Sequence, residues 1–103
     1  MDVFSRTELL LGQAGMERLK KARVAVFGLG GVGGYAAEAL ARSGVGALDL
    51  VDNDSVSETN INRQIVALLS TVGKRKTEAA AARIKDVSPA CAVRCFDLFV
   101  TDE

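Results

Sequence analysis

Short apolar runs, each closed by glycine or by polar residues, are the first regular feature of this chain. The run Arg23–Phe27 (RVAVF) ends at a glycine, and the run over 47–52 (ALDLVD) ends in an acid. A third run lies within 91–100 and is centred on Ala92–Phe96. Continuous runs of this length, rich in valine and leucine, are typical of buried parallel strands. We therefore predict three strands at these positions.

Between these runs, apolar residues recur at the spacing of amphipathic helices. Residues 34–42 and 74–87 show this spacing most clearly, and Pro89 ends the second segment. A shorter helix is predicted over 60–69, before the glycine that follows Val72. The chain thus alternates strands with helices, which is the pattern of βαβ units.

An N-terminal segment precedes the first strand. Residues 7–21 predict a helical arm punctuated by Gly12 and Gly15. We accordingly divide the chain into an N-terminal helical arm, 1–22, and a βαβαβ nucleotide-binding half-domain, 23–103.

The fold class follows from the order of these elements. Strands alternating with helices imply right-handed crossovers and a parallel sheet. We predict a Rossmann-like α/β fold that forms the N-terminal half of a doubly wound sheet, whose usual strand order is 3-2-1. The strand Arg23–Phe27 is then expected at an open edge, where an apolar strand invites pairing. We expect the chain either to be truncated or to assemble.

Composition and charge give no sign of a membrane-bound or strongly charged protein. The 103 residues carry 13 basic and 13 acidic side chains, so no net charge points to nucleic acid or to a membrane surface. No apolar run approaches the roughly 20 residues of a membrane-spanning helix, and no secretory signal is visible. We expect a cytoplasmic protein without membrane contact. Cys91 and Cys95 are too few for a zinc ribbon and are expected to be structural thiols.

A glycine-rich segment joins the first strand to the first helix. Its pattern, Gly28-x-Gly30-x-x-Gly33, occurs where the dinucleotide fingerprint requires it. Gly28 permits a tight turn, Gly30 lets the backbone approach phosphate, and Gly33 lets the helix pack on the strand. Asp52, 19 residues after Gly33, stands where an acid binds ribose hydroxyls. We predict a nucleotide site; glycines that serve only the turn are the alternative.

Residues beyond Asp52 bear on which nucleotide binds. Asn60, Arg63 and Gln64 share one face if helical, which suits a grip on phosphates. The cations at 74–76 stand at a helix start, where the dipole disfavours them, so an anionic partner is expected. A triphosphate needs more positive charge than the pyrophosphate of NAD. These features favour ATP, although a solvated polar face and an NAD-binding oxidoreductase domain stay open as alternatives.

Four blocks of sequence carry a resemblance to a known family. GLGGVG, VDND, NINRQ and GKRKTE, at this spacing, resemble the nucleotide-binding half of the E1-like ATP-dependent adenylating family, which includes the molybdopterin and thiamin adenylyltransferases. The match covers nearly the whole chain. The segments FSRTELLLG, EALARSGVG, TNINRQI and SPACAV are most similar to the tRNA threonylcarbamoyladenosine dehydratases within that family.

The resemblance implies a set of site residues. Those that bind ATP would be Gly28, Gly30, Gly31, Gly33, Asp52, Asp54, Asn60, Arg63, Gln64 and Lys76. Arg63 and Lys76 would also act in catalysis. Arg6 matches an arginine that crosses to the partner's active site in some E1-like dimers. The main Mg²⁺ ligand is expected beyond Glu103, and no metal ligand is assigned within the chain.

The activity implied by the resemblance is adenylation of a substrate carboxylate, in this case for the ATP-dependent cyclising dehydration of threonylcarbamoyladenosine in tRNA. One alternative is an adenylyltransferase for a ubiquitin-like sulfur-carrier protein; another, of a different class, is a non-catalytic nucleotide-binding fragment. The implied partners are a second copy of the chain, tRNA, and a sulfur-carrier or cysteine desulfurase system. We expect negligible turnover from these 103 residues alone.

Overall fold

A computed structural model of the chain describes residues 5–98, with side chains from Gly12 onward. The elements in chain order are α1 (Ser5–Lys21), β1 (Arg23–Phe27), α2 (Val32–Ser43), β2 (Ala47–Val51), a short 3₁₀ helix (Glu58–Asn60), α3 (Lys76–Val87) and β3 (Ala92–Phe96). The three predicted strands and the two long predicted helices are confirmed. The ends of those two helices differ from prediction by at most two residues.

The strands form one parallel sheet with β2 at its centre. The order is β1-β2-β3, and the register runs from Arg23, Ala47 and Ala92 at one end to Phe27, Val51 and Phe96 at the other. The predicted α/β fold with strand order 3-2-1 is therefore confirmed. Within residues 5–98, β1 pairs on one side only, and the side chain at its end, that of Phe27, is 65% exposed.

Helices α2 and α3 cover one face of this sheet. Leu48 and Leu50 of the central strand are fully buried beneath Ala37 of α2 and beneath Ala80 and Ile84 of α3. Alanine at the contact positions lets these helices approach the sheet closely. The packing fixes where both helices begin, at the carboxyl end of the sheet.

An ion pair joins the two helices. Glu38 of α2 accepts hydrogen bonds from Arg83 of α3 at 2.8 and 3.2 Å and from Arg42 one turn along α2 at 2.8 Å. The hydrogen bonds from Arg83, more than the charge of Arg42, hold the pKa of Glu38 below its ordinary value against the opposing effect of burial. The carboxylate therefore stays ionised, and it ties α3 to α2.

The prediction of a helix over 60–69 is wrong. The segment contains only the last residue of the 3₁₀ helix, followed by turns. The Ser57 and Asn60 side chains form a capping box around that helix, and the Thr71 hydroxyl bonds the backbone of Leu68. Short polar side chains that bond nearby backbone groups in this way compete with helix formation. The second long helix likewise begins at Lys76 and not at Lys74.

The N-terminal arm is helical, and of the two glycines expected to interrupt it only Gly12 does so. Gly12 has non-helical dihedrals (φ 75°, ψ 169°) inside α1, whereas Gly15 lies within the helix. The end of α1 is tied to the turn before β2, because Gly46 donates its N–H to the Leu19 carbonyl at 2.9 Å. A β-carbon on Gly46 would stand 1.8 Å from the Lys20 carbonyl oxygen, so the close approach requires glycine.

Candidate nucleotide-binding site

The glycine loop turns sharply between β1 and α2. Gly28 and Gly31 have positive φ angles of 84° and 55°, in the region that favours glycine. Gly28 also donates its N–H to the Val51 carbonyl at 2.8 Å, which fastens the loop to the end of β2. A β-carbon on Gly33 would stand 1.7 Å from the Gly28 oxygen. The structure thus shows the tight turn and the close helix packing predicted for Gly28 and Gly33; their contact with a nucleotide stays a prediction.

Gly30 has a different reason to lack a side chain. A β-carbon there would stand 2.9 Å from the Gln64 amide nitrogen, so the Gln64 side chain fills the space beside the loop. The Gln64 Oε1 atom is buried and finds no hydrogen-bond donor among residues 5–98. Gln64 is therefore part of the wall of the loop, a contact that the fingerprint alone did not predict.

Asp52 links the glycine loop to the chain beyond β2. The residue is only 8% exposed, and the two oxygens of its carboxylate accept the N–H groups of Leu29 at 2.7 Å and of Asp54 at 2.8 Å. An ionised carboxylate offers about four lone-pair sites, so two backbone bonds leave capacity for further donors. Asp52 is thus placed to hold the loop and to accept hydroxyl groups at the same time.

Lys76 is the first residue of α3, and its side chain is turned inward. The residue is only 7% exposed, and its Nζ lies 3.7 Å from Oδ2 of Asp54. Its backbone N–H donates to the Asp54 carbonyl at 3.0 Å. The Asp52 carboxylate and the backbone bond from Lys76 to Asp54 therefore connect the glycine loop to Lys76.

The three cations at 74–76 are not one cluster. Lys74 and Arg75 are exposed, and Arg75 lies 3.6 Å from Asp97, just after β3. Asp97 also accepts a hydrogen bond from Thr77 at 2.7 Å. Sequence reasoning missed Asp97, although its place after the third strand, at the same edge as Asp52, was available as a signal.

Asn60, Arg63 and Gln64 stay close together although the predicted helix is absent. The N–H groups of Arg63 and Gln64 both donate to the Asn60 carbonyl, at 3.1 and 2.9 Å, in a single turn. The Asn60 side chain accepts from the backbone of Ser57, and Arg63 donates to the Thr59 carbonyl at 3.0 Å. Of the three side chains, Gln64 reaches the glycine loop, while the described contacts of Arg63 are local.

Arg6 and the two cysteines are the remaining residues whose roles were predicted from the sequence. Arg6 lies outside the described side chains. Burial raises the pKa of the Cys91 thiol and, as the largest cause, that of Cys95, so both are poor nucleophiles at neutral pH. Neither cysteine is disulfide-bonded.

Metal ions in proteins are usually held by several histidine, cysteine or carboxylate side chains. Within residues 5–98, no group of three or more histidine, cysteine or carboxylate side chains is arranged to hold a metal ion. Asp52 is already engaged by two backbone N–H groups, and Asp54 is the exposed carboxylate next to it. None of the described helices has the length and apolarity needed to cross a membrane.

Comparison with known proteins places this geometry in a family. Residues 4–103 match the ThiF family. The chain belongs to the ThiF family. It is 57% identical over 100 residues to the tRNA threonylcarbamoyladenosine dehydratase of Bacillus subtilis (strain 168), a match that covers 97% of this chain and 39% of that protein. The resemblance predicted from the four sequence blocks is confirmed.

A solved structure and a more distant relative extend the comparison. The crystal structure of the E. coli tRNA N6-threonylcarbamoyladenosine dehydratase in complex with ATP superimposes with a TM-score of 0.93 at 48% identity, over 95% of this chain and 40% of that one. A probable adenylyltransferase/sulfurtransferase, MoeZ of Mycobacterium tuberculosis (strain H37Rv), is 41% identical over 85% of this chain and 22% of its own length. This ThiF-family chain thus spans about two fifths of the dehydratases that it matches.

Proposed function

We propose that this chain forms the ATP-binding half of an enzyme that adenylates a substrate carboxylate. The observation that carries the proposal is the connected cluster in which Asp52 joins the glycine loop to Asp54 and, through Asp54, to the buried Lys76. The ATP complex of the E. coli dehydratase, with which the fold superimposes, supports ATP over NAD.

Each part of the cluster has a role in this proposal. Backbone N–H groups of Gly30 and Gly31, at the start of α2, bind phosphate oxygens because a helix N-terminus attracts anions. Gly28 and Gly33 set the loop's path, and the remaining lone pairs of Asp52 accept the ribose hydroxyls. Asn60 holds the turn that contains Arg63 and that positions Gln64 beside the loop.

The reaction proposed for the site is attack by the carboxylate oxygen on the α-phosphorus of ATP. The bond from that phosphorus to the bridging oxygen breaks, and pyrophosphate leaves. Negative charge spreads over the phosphate oxygens during this step, so catalysis rests on positioning and on nearby cations. Lys76 and Arg63 supply that charge from this chain. Mg²⁺ bound with ATP would add to it through ligands outside the described residues.

We propose threonylcarbamoyladenosine in tRNA as the source of the carboxylate, in keeping with the name of the Bacillus subtilis relative. An amide nitrogen of the activated group would then attack the acyl carbon, lose its proton and expel AMP, which closes a ring. This ring closure requires no thiol, which fits the raised pKa of both cysteines. The proposed enzyme is cytoplasmic and dimeric, with Arg6 acting across the dimer.

A second candidate is adenylation of the C-terminal carboxylate of a sulfur-carrier protein. The similarity to MoeZ, an adenylyltransferase/sulfurtransferase by name, favours it, and a cysteine desulfurase system would be its partner. ATP–pyrophosphate exchange by the full-length protein separates the two candidates. Exchange that depends on threonylcarbamoyl-modified tRNA supports the dehydratase, and exchange that depends on a carrier protein supports the alternative.

Nucleotide choice is tested by titrating the protein with ATP and with NADH. We expect ATP to bind more tightly, and Lys76→Ala to weaken ATP binding at least tenfold because a buried charge partner is lost. Lys85→Ala is the matched control, since Lys85 lies exposed in the last turn of the same helix. Tighter binding of NADH, or equal ATP affinity for both lysine variants, would contradict the proposal.

A further inference from the structure

Lys76 is placed unusually for a cation. The residue is only 7% exposed and its side chain 9% exposed, and it is the first residue of α3. The positive end of a helix dipole disfavours a cation there, and burial without a partner charge disfavours it further. In the absence of bound phosphate, Lys76 needs a counter-charge from the protein.

Asp54 supplies that charge, but through a loose contact. The distance of 3.7 Å from Nζ to Oδ2 is longer than the roughly 2.7–2.9 Å of a charge-assisted hydrogen bond. The Asp54 side chain is also 65% exposed, whereas that of Lys76 is 9% exposed. Water therefore competes for the carboxylate, and Asp54 can give up the contact when another anion takes its place beside Lys76.

The backbone of Asp54 is held firmly in contrast to its carboxylate. Its N–H donates to Asp52 at 2.8 Å, and its carbonyl accepts the N–H of Lys76 at 3.0 Å. The turn between β2 and α3 therefore keeps its shape when the side chain moves. A carboxylate that can leave while its backbone stays fixed is suited to exchange with another anion.

We propose that Asp54 is a positioning residue that neutralises Lys76 in the nucleotide-free protein and yields it to the phosphate oxygens when a triphosphate binds. This inference rests on the proposed function, and it predicts the direction in which Asp54 changes the affinity for ATP. Asp54 competes with the triphosphate for Lys76 and repels it, so that removal of the carboxylate charge strengthens ATP binding. A carboxylate that contacted the nucleotide or its metal ion directly would have the opposite effect.

The test compares ATP and AMP binding by isothermal titration in the full protein, with Mg²⁺ present throughout. Asp54→Asn removes the charge while it preserves both backbone bonds. We expect roughly fivefold tighter ATP binding from the loss of a partly exposed pair and its repulsion. AMP, which lacks the outer phosphates, is expected to change by less than about twofold. Asp54→Glu, which keeps the charge, is expected to bind ATP like the wild type.

Asp86→Asn serves as the control for net charge, because Asp86 is an exposed acid in the last turns of α3. Its ATP affinity is expected to equal that of the wild type. Weaker ATP binding by Asp54→Asn, no change, or equal changes for ATP and AMP would each overturn the role given to Asp54. If the wild type fails to bind ATP, the nucleotide site itself is refuted, and this inference with it. Melting curves of each variant separate a folding defect from a change in affinity.

Discussion

Replacing Gly33 by alanine places a methyl group where backbone already stands. The added β-carbon would lie 1.7 Å from the Gly28 carbonyl oxygen and 2.8 Å from its carbonyl carbon. Both neighbours are backbone atoms, and Gly28 is itself held by a 2.8 Å hydrogen bond to the end of β2. The clash therefore cannot be relieved by a side-chain rotation, and either the loop or α2 has to move.

The size of the effect follows from that constraint. Overpacking by one methyl group in a well-packed region costs about 1–3 kcal/mol, and a clash with fixed backbone belongs at the upper end of that range. Because the same movement displaces the N–H groups at the start of α2, ATP binding is expected to fall at least tenfold. Urea unfolding measures the first quantity, and titration with ATP measures the second.

Gly30→Ala is the matched comparison within the same loop. Its β-carbon would meet the Gln64 side-chain nitrogen at 2.9 Å, and a flexible side chain can move aside. The backbone at Gly30 does not have a positive φ, so alanine is not strained there. We expect a loss of stability below about 1 kcal/mol for this variant. If Gly33→Ala were no less stable than Gly30→Ala, the close packing inferred for the loop would be wrong.

Three further outcomes are expected. In the Gly30→Ala background, Gln64→Ala should restore stability lost to the 2.9 Å contact, and urea unfolding of the double variant checks this. Asp52→Asn should lower stability by about 1–3 kcal/mol, since one of two backbone N–H groups would face an amide NH₂; Asp86→Asn is its control. The pKa of Glu38 is lower in the folded chain than in the unfolded chain, where it is near 4.5. The ionised side chain therefore stabilises the fold above that pH, and the stabilisation is lost as the pH falls through the lowered pKa. The free energy of unfolding of the Glu38→Gln variant, measured by urea unfolding at several pH values, should therefore fall less steeply than that of the wild type below about pH 5.

Much of the fold was predictable because its signals are local. The strands β1 and β2 are apolar runs of the right length, and the helices that follow them have glycine or proline at their ends. The sheet order then follows from the handedness of βαβ crossovers, which needs no knowledge of side-chain packing. The same locality applies to Gly28 and Gly33, whose positions in the strand–turn–helix unit determine their geometry.

The segment between β2 and α3 was less predictable for a physical reason. Its apolar residues recur at helical spacing, yet the Thr71 hydroxyl accepts the N–H of Leu68, a group that a helix over 60–69 would have used. Helical spacing describes which side chains can face the core, and it does not count such competing hydrogen bonds. A correct prediction would have required the positions of both partners.

The same limitation affects the cations at 74–76, and it bears directly on the candidate site. Lys74, Arg75 and Lys76 are equivalent in charge, but α3 begins at Lys76, and the backbone bond from Lys76 to Asp54 fixes its direction. Arg75, one residue earlier, faces Asp97 beyond β3. A shift of the helix start by one residue would bury a different cation. The identity of the buried lysine therefore depends on the turn that Asp52 holds, and disrupting that turn should impair the site even with Lys76 intact.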